Sequence, residues 1–239
     1  GRASLFTNTT GSNNTAVGKD ALTNTTTASN NTAVGKDALL DNTTGDRNVA
    51  VGSESLNSCQ THAANTAVGY QTLKLNTANS NTAVGAYALD ANTSGGDLCA
   101  IGSHALGANT TGDNNVAMGV SALAANTTGA SNVAVGTNAG DAITTGSLNV
   151  AVGLQALTAA TTSGENTCVG GAAGRYIGSG QYNTAIGRSA LHSSISGSTG
   201  QMTGNNNTAV GKDALFANTT GANNVAVGSL CLDANTTGY

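Results

Sequence analysis

The 239 residues carry 8% charged and 3% aromatic side chains, no Pro, no Trp, and a formal net charge of −4. Singly scattered charges form neither the basic stripe expected for nucleic acid nor a Lys/Arg cluster for anionic lipid, and no apolar run approaches the ~20 residues of a membrane span. Side chains this small bury little area each, so the composition suits many thin units sharing one core rather than one compact domain.

Along the chain, the same motif ends in a glycine thirteen times: Gly18, Gly35, Gly52, Gly69, Gly85, Gly102, Gly119, Gly136, Gly153, Gly170, Gly187, Gly211 and Gly228. Every step is 17 residues except Gly69 to Gly85 (16) and Gly187 to Gly211 (24). The consensus is N-[TV]-A-[VI]-G-x-x-A-L-x-x-N-T-T-G-x-N. Gly1 and the closing Asn235-Thr236-Thr237-Gly238 fit the same register. Neither end carries an atypical capping repeat, which predicts a segment of a longer protein or ends covered by neighbouring subunits. The organisation expected is a single array over 1–239 with an irregular coil at 188–206.

A 17-residue unit is too short for two packed helices and is rich in poor helix formers. Two short strands per unit are expected, one at Asn31–Val34 and one near Ala38–Thr44 in the second coil, with glycine supplying the turns. Stacked in register, such units give an all-β, parallel β-solenoid or β-roll of about fourteen coils. Its asparagines can hydrogen-bond along the stack. At ~4.8 Å per coil the array would be roughly 60 Å long. The Leu four residues after the glycine is missing at Gly140 and Gly174, and an Ile follows three residues later in both coils, at Ile143 and Ile177. That exchange reads as compensation within one core.

Alternation within the Asn-Thr-Ala-Val strand puts the Thr/Val and Val slots on one face and the Ala slot on the other. With the Val face inside, the alanines would form an outward strip for lateral packing: Ala16, Ala33, Ala50, Ala67, Ala83, Ala100, Ala117, Ala134, Ala151, Ala185, Ala209 and Ala226. The seven-residue excess is Ser/Gly-rich and would bulge from the rod. Its candidate recognition residues are His192, Ser193, Ser194, Ser196, Ser198, Thr199, Gln201 and Thr203.

Asn-[Thr/Val]-Ala-[Val/Ile]-Gly-x-x-Ala resembles the head repeats of trimeric autotransporter adhesins. The longer form, with Ala-Leu-x-x-Asn-Thr-Thr-Gly-x-Asn, resembles repeats of phage tail-fibre and related viral fibre proteins. The resemblance covers nearly the whole chain and implies a left-handed, homotrimeric β-roll. It implies a structural shaft of an extracellular or virion fibre, such as a tail fibre, which spaces or presents host-binding parts. The adhesin repeat is nearer 14 residues, so the extra residues here would widen a turn or the second strand.

Chemistry-bearing motifs are sparse. Cys59, Cys99, Cys168 and Cys231 fall in four different slots, which predicts free thiols and fits assembly in a reducing compartment. His62, His104 and His192 sit in unrelated slots without a Cys or carboxylate pattern, and no Ser or Thr has a His partner at motif spacing. No catalytic, cofactor-binding or metal residue is therefore expected, and the chain reads as a non-enzyme. Gly170–Gly174 lacks the Lys-Ser/Thr of a phosphate loop and reads as a variant turn. Lys-Asp pairs such as Lys36-Asp37 read as solvated turn residues. Outward Asn/Thr ladders that bind a cell-surface glycan form the alternative function, and ice binding through Thr a weaker one. Asn42, Asn109, Asn126 and Asn218 lie in glycosylation sequons. No nucleic-acid partner and no membrane insertion are expected.

Overall fold

The computed structural model describes residues 1–193 and 201–238. It contains thirteen three-residue strands, one per repeat, and no helix among the described residues. The chain divides into two compact units, 1–115 and 116–239. In the first unit six parallel strands follow in chain order: β1 (Thr15–Val17), β2 (Thr32–Val34), β3 (Val49–Val51), β4 (Thr66–Val68), β5 (Thr82–Val84) and β6 (Cys99–Ile101). The second unit holds seven: β7 (Val116–Met118), β8 (Val133–Val135), β9 (Val150–Val152), β10 (Thr167–Val169), β11 (Thr184–Ile186), β12 (Thr208–Val210) and β13 (Val225–Val227). Each slot pairs with the same slot of the next coil, as in Ala33↔Ala50 and Ala134↔Ala151. Each unit is thus a parallel β-solenoid with the register read from the repeat.

The second expected strand does not form. Residues 38–44 are a run of turns, with Asp37 at φ 56° and Leu39 at φ 52°. Non-glycine residues in this left-handed region are uncommon. Here they recur in the same slots of nearly every coil, for example Leu22, Leu56, Leu73, Leu106 and Leu123. The alternation turns successive peptides in opposite directions along the stack. Asp37 N–H donates back to the Lys19 carbonyl at 2.9 Å, and Leu39 N–H donates forward to the Ser55 carbonyl at 3.0 Å. Backbone polar groups are satisfied between coils without strand geometry, and the leucine side chain turns inward to full burial.

The repeat glycine meets a stricter demand. Gly35 has φ +140°, and a Cβ there would lie 2.5 Å from the Gly52 carbonyl oxygen of the next coil. Only glycine allows both the conformation and the approach.

The interior of each coil combines Leu, Ala and two kinds of buried Asn. The Asn that opens the strand accepts from the next coil and donates across the coil. Asn65 Nδ2 donates to the Ala78 carbonyl at 2.9 Å, and its Oδ1 accepts from Asn81 N–H at 3.0 Å. The ladder is interrupted at Leu98, which is also buried. The Asn of Asn-Thr-Thr closes its own turn: Asn42 Nδ2 donates to the Gly45 carbonyl and Asn42 Oδ1 accepts from Gly45 N–H, at 3.0 and 3.1 Å.

In the second unit the core composition shifts. Ile143, Ala160, Ile177 and Met202 occupy in consecutive coils the slot that carries Asn in most others, and all four are fully buried. The 24-residue step does not break the stack. Gly211 N–H donates to Ile186 O at 2.8 Å, and β11 pairs with β12 in register. Met202 rejoins the coil beside Ile177, donating to Tyr176 O at 2.8 Å.

Candidate functional site

Two surfaces combine unusual residues with defined geometry. The first is the outward face of the strands, and here the structure corrects the sequence reading. The alanines point inward: Ala33, Ala50, Ala67, Ala83, Ala100, Ala117, Ala134, Ala185, Ala209 and Ala226 are 0% exposed, Ala151 is equally enclosed, and Ala16 is half-buried. Alternation is as expected but its sense is reversed. The opposite wall of the thin coil already sends Leu and two Asn side chains into the interior, so only a methyl group fits beneath the strand. The larger β-branched residues face out, where a pleated surface suits them.

The outward columns are charge-free. In the first unit they run Thr15/Val17, Thr32/Val34, Val49/Val51, Thr66/Val68, Thr82/Val84 and Cys99/Ile101. In the second they run from Val116/Met118 to Val225/Val227. Ile101 at 41% and Met118 at 39% exposure are large for single apolar residues within paired strands. Each unit therefore presents to solvent an unbroken column of Val, Ile or Met beside a column of Thr, Val or Cys.

The second surface lies in the second unit beside the 24-residue step. Arg188, Ser189 and His192 from one coil, Lys212, Asp213 and Phe216 from the next, and Leu230 and Asp233 from a third line a depression of about 550 Å³. These are the first, second and fifth positions after the repeat glycine. Backbone bonds hold the three coils together there: Asp213 N–H to Arg188 O at 3.0 Å, Leu230 N–H to Lys212 O at 2.9 Å, and Ala217 N–H to Asp233 O at 2.9 Å. His192 stacks on Phe216 with ring centroids 4.9 Å apart and planes within 4°. Tyr176 meets the other side of His192 edge-on at 5.0 Å, and the Arg175 guanidinium lies 5.2 Å from the Tyr176 ring. Burial, aided by the Arg175 charge, holds the His192 imidazole below its ordinary pKa. Lys212 pairs with Asp213 at 3.1 Å.

The sequence-selected loop residues divide. His192 lines this depression, Ser193 is buried, Gln201 is half-buried and Thr203 is exposed. Ser194, Ser196, Ser198 and Thr199 lie outside the described residues. Sequence reading missed Arg188, Asp213 and Phe216, whose signal was their shared slots in adjacent coils.

The expected outward Asn ladder is also corrected. Asn42, Asn109, Asn126 and Asn218 are fully buried, with amides donating to the glycine carbonyl of their own turn. An asparagine in that state presents no amide to a glycan or to a glycosylating enzyme. Only threonines of the Asn-Thr-Thr segments remain at the surface, and the first of each pair often donates to the next coil, as Thr43 Oγ1 does to Gln60 O at 3.1 Å.

The four thiols are free. Burial pushes Cys59 up to about 11 and Cys168 up to about 12, which suits structural rather than reactive cysteines. Among the described residues no three His, Cys, Asp or Glu side chains are placed to hold a metal ion. No protein-family model, curated protein or solved structure matches the chain.

Proposed function

We propose that this chain is a structural segment of an extracellular or virion fibre, of the tail-fibre or adhesin kind, assembled as a homotrimer. The observation that carries this reading is the charge-free outward face of the strands in each unit. A stripe of Val, Ile and Met on a regular scaffold is costly to leave in water and is repeated too regularly to serve one small ligand. A second and third copy of the same stripe offer a matching surface, because like slots recur at the same spacing. The buried Asn and Leu ladders make each coil a template for the next, which suits a load-bearing shaft rather than a changing one.

Sedimentation equilibrium tests the proposal: a mass of three chains is expected. Val84→Lys and Val135→Lys, each placing a charge in the stripe of one unit, should shift the mass toward one chain while circular dichroism stays unchanged. A wild-type protein that runs as a monomer overturns the reading.

A further inference from the structure

We infer that the depression between Arg188, Asp213 and Phe216 is a saccharide-binding site on the side of the solenoid. The inference goes beyond the shaft reading and does not depend on it, because all its residues belong to one chain. Its volume, about 550 Å³, is in the range of small-ligand sites. Its walls pair apolar and polar groups. Most coils carry small or polar residues in the fifth slot after the glycine, such as Thr23, Asn57 and Gly107. Only here do two stacked rings, His192 and Phe216, occupy that slot in consecutive coils. Lining the same depression are both kinds of charge, the cations Arg188 and Lys212 and the carboxylates Asp213 and Asp233, together with Ser189.

This mixture selects among ligand classes. Two carboxylates beside two cations give no net attraction for a polyanion such as nucleic acid. A purely apolar ligand would strip water from four charges without replacing their hydrogen bonds. A pyranose meets both requirements. Its C–H face packs on aromatic carbon, and its hydroxyls donate to carboxylates and accept from ammonium, guanidinium or hydroxyl groups. Arg188 and Asp233 take part in no ion pair among the described residues, so their hydrogen-bonding capacity is available to such a ligand. Lys212 and Asp213 hold each other in place and keep further capacity on both groups. The rings are fixed before binding by the Tyr176–His192–Phe216 stack, which lowers the ordering cost of a ligand that packs against them.

The test uses the whole chain and saturation-transfer NMR with the methyl glycosides of glucose, galactose, mannose, N-acetylglucosamine and N-acetylneuraminic acid. Transfer to at least one of them is expected. Phe216→Leu, which keeps an apolar side chain in the stack, and Asp213→Asn should each weaken binding about tenfold or more. Circular dichroism and chain mass should be unchanged in both variants, so failure here is separable from failure of the trimer. Absence of transfer to all five glycosides overturns the inference, and so does transfer that survives either substitution undiminished.

Discussion

Ile143 fills the space that a side chain at Gly140 would need: a Cβ built on Gly140 lies 3.0 Å from Ile143 Cδ1. Gly174 and Ile177 repeat the relationship, at 2.9 Å. In most other coils a left-handed Leu takes this place and the later slot is Asn. The backbone at Gly140 already has φ +59°, close to the 48–53° that leucine adopts in this slot elsewhere. Gly140→Leu should therefore destabilise by about 1–3 kcal/mol through overpacking and not through backbone strain. Ile143→Ala in the wild-type background should cost about 2–5 kcal/mol. In the double variant the two losses should fall well short of their sum, which a double-mutant cycle by urea denaturation would read directly.

The asparagine ladder carries a second expectation. Asn65→Ala removes the donor to Ala78 O and the acceptor of Asn81 N–H, both buried. Each orphaned group costs about 1–3 kcal/mol. Thr44→Ala, at an exposed position in the same kind of turn, should stay within about 0.5 kcal/mol. Thermal melts of the two variants would separate a structural ladder from a decorative one.

Thiol chemistry distinguishes inside from outside. Cys59 and Cys168, buried and held far above neutral pH, should resist a thiol-specific reagent in the native protein. Cys99 and Cys231 are half-buried and should react faster. Cys99 sits on the outward face of β6, so the proposed trimer makes a finer forecast: its labelling should be slow in wild type and accelerate in Val84→Lys. Counting labelled sites by mass spectrometry over time checks both.

Stability should depend on pH through His192. Burial lowers its folded pKa below the ordinary 6.5, so the unfolded chain takes up a proton first as pH falls. The contribution of the neutral imidazole is complete above that ordinary value and is lost progressively as pH drops below it. His192→Phe keeps the stack on Phe216 without a titrating group. Melts between about pH 5 and pH 8 should show a shallower acid loss in that variant than in wild type.

The period, the register and the all-β class were legible in the sequence because they are properties of one repeated line of residues. Like slots recur every 17 residues, and stacking brings them together whatever each slot does. The Gly140/Ile143 exchange was legible for the same reason, since both residues lie in one coil. The inward or outward sense of each slot was not. Alternation fixes that Ala50 opposes Val49 and Val51, but which side is the interior depends on what the rest of the coil sends in. Leu56, Asn48 and their counterparts occupy that space, so the methyl group goes inside and the valines outside. Turns in place of a second strand were hidden too, because leucine in the left-handed region defies local preference and persists only through packing and the coil-to-coil hydrogen bonds. The depression around Phe216 needed tertiary structure most of all: the long step in sequence separates Arg188 from Asp213 and Phe216, and only the closed register of β11 and β12 sets them side by side.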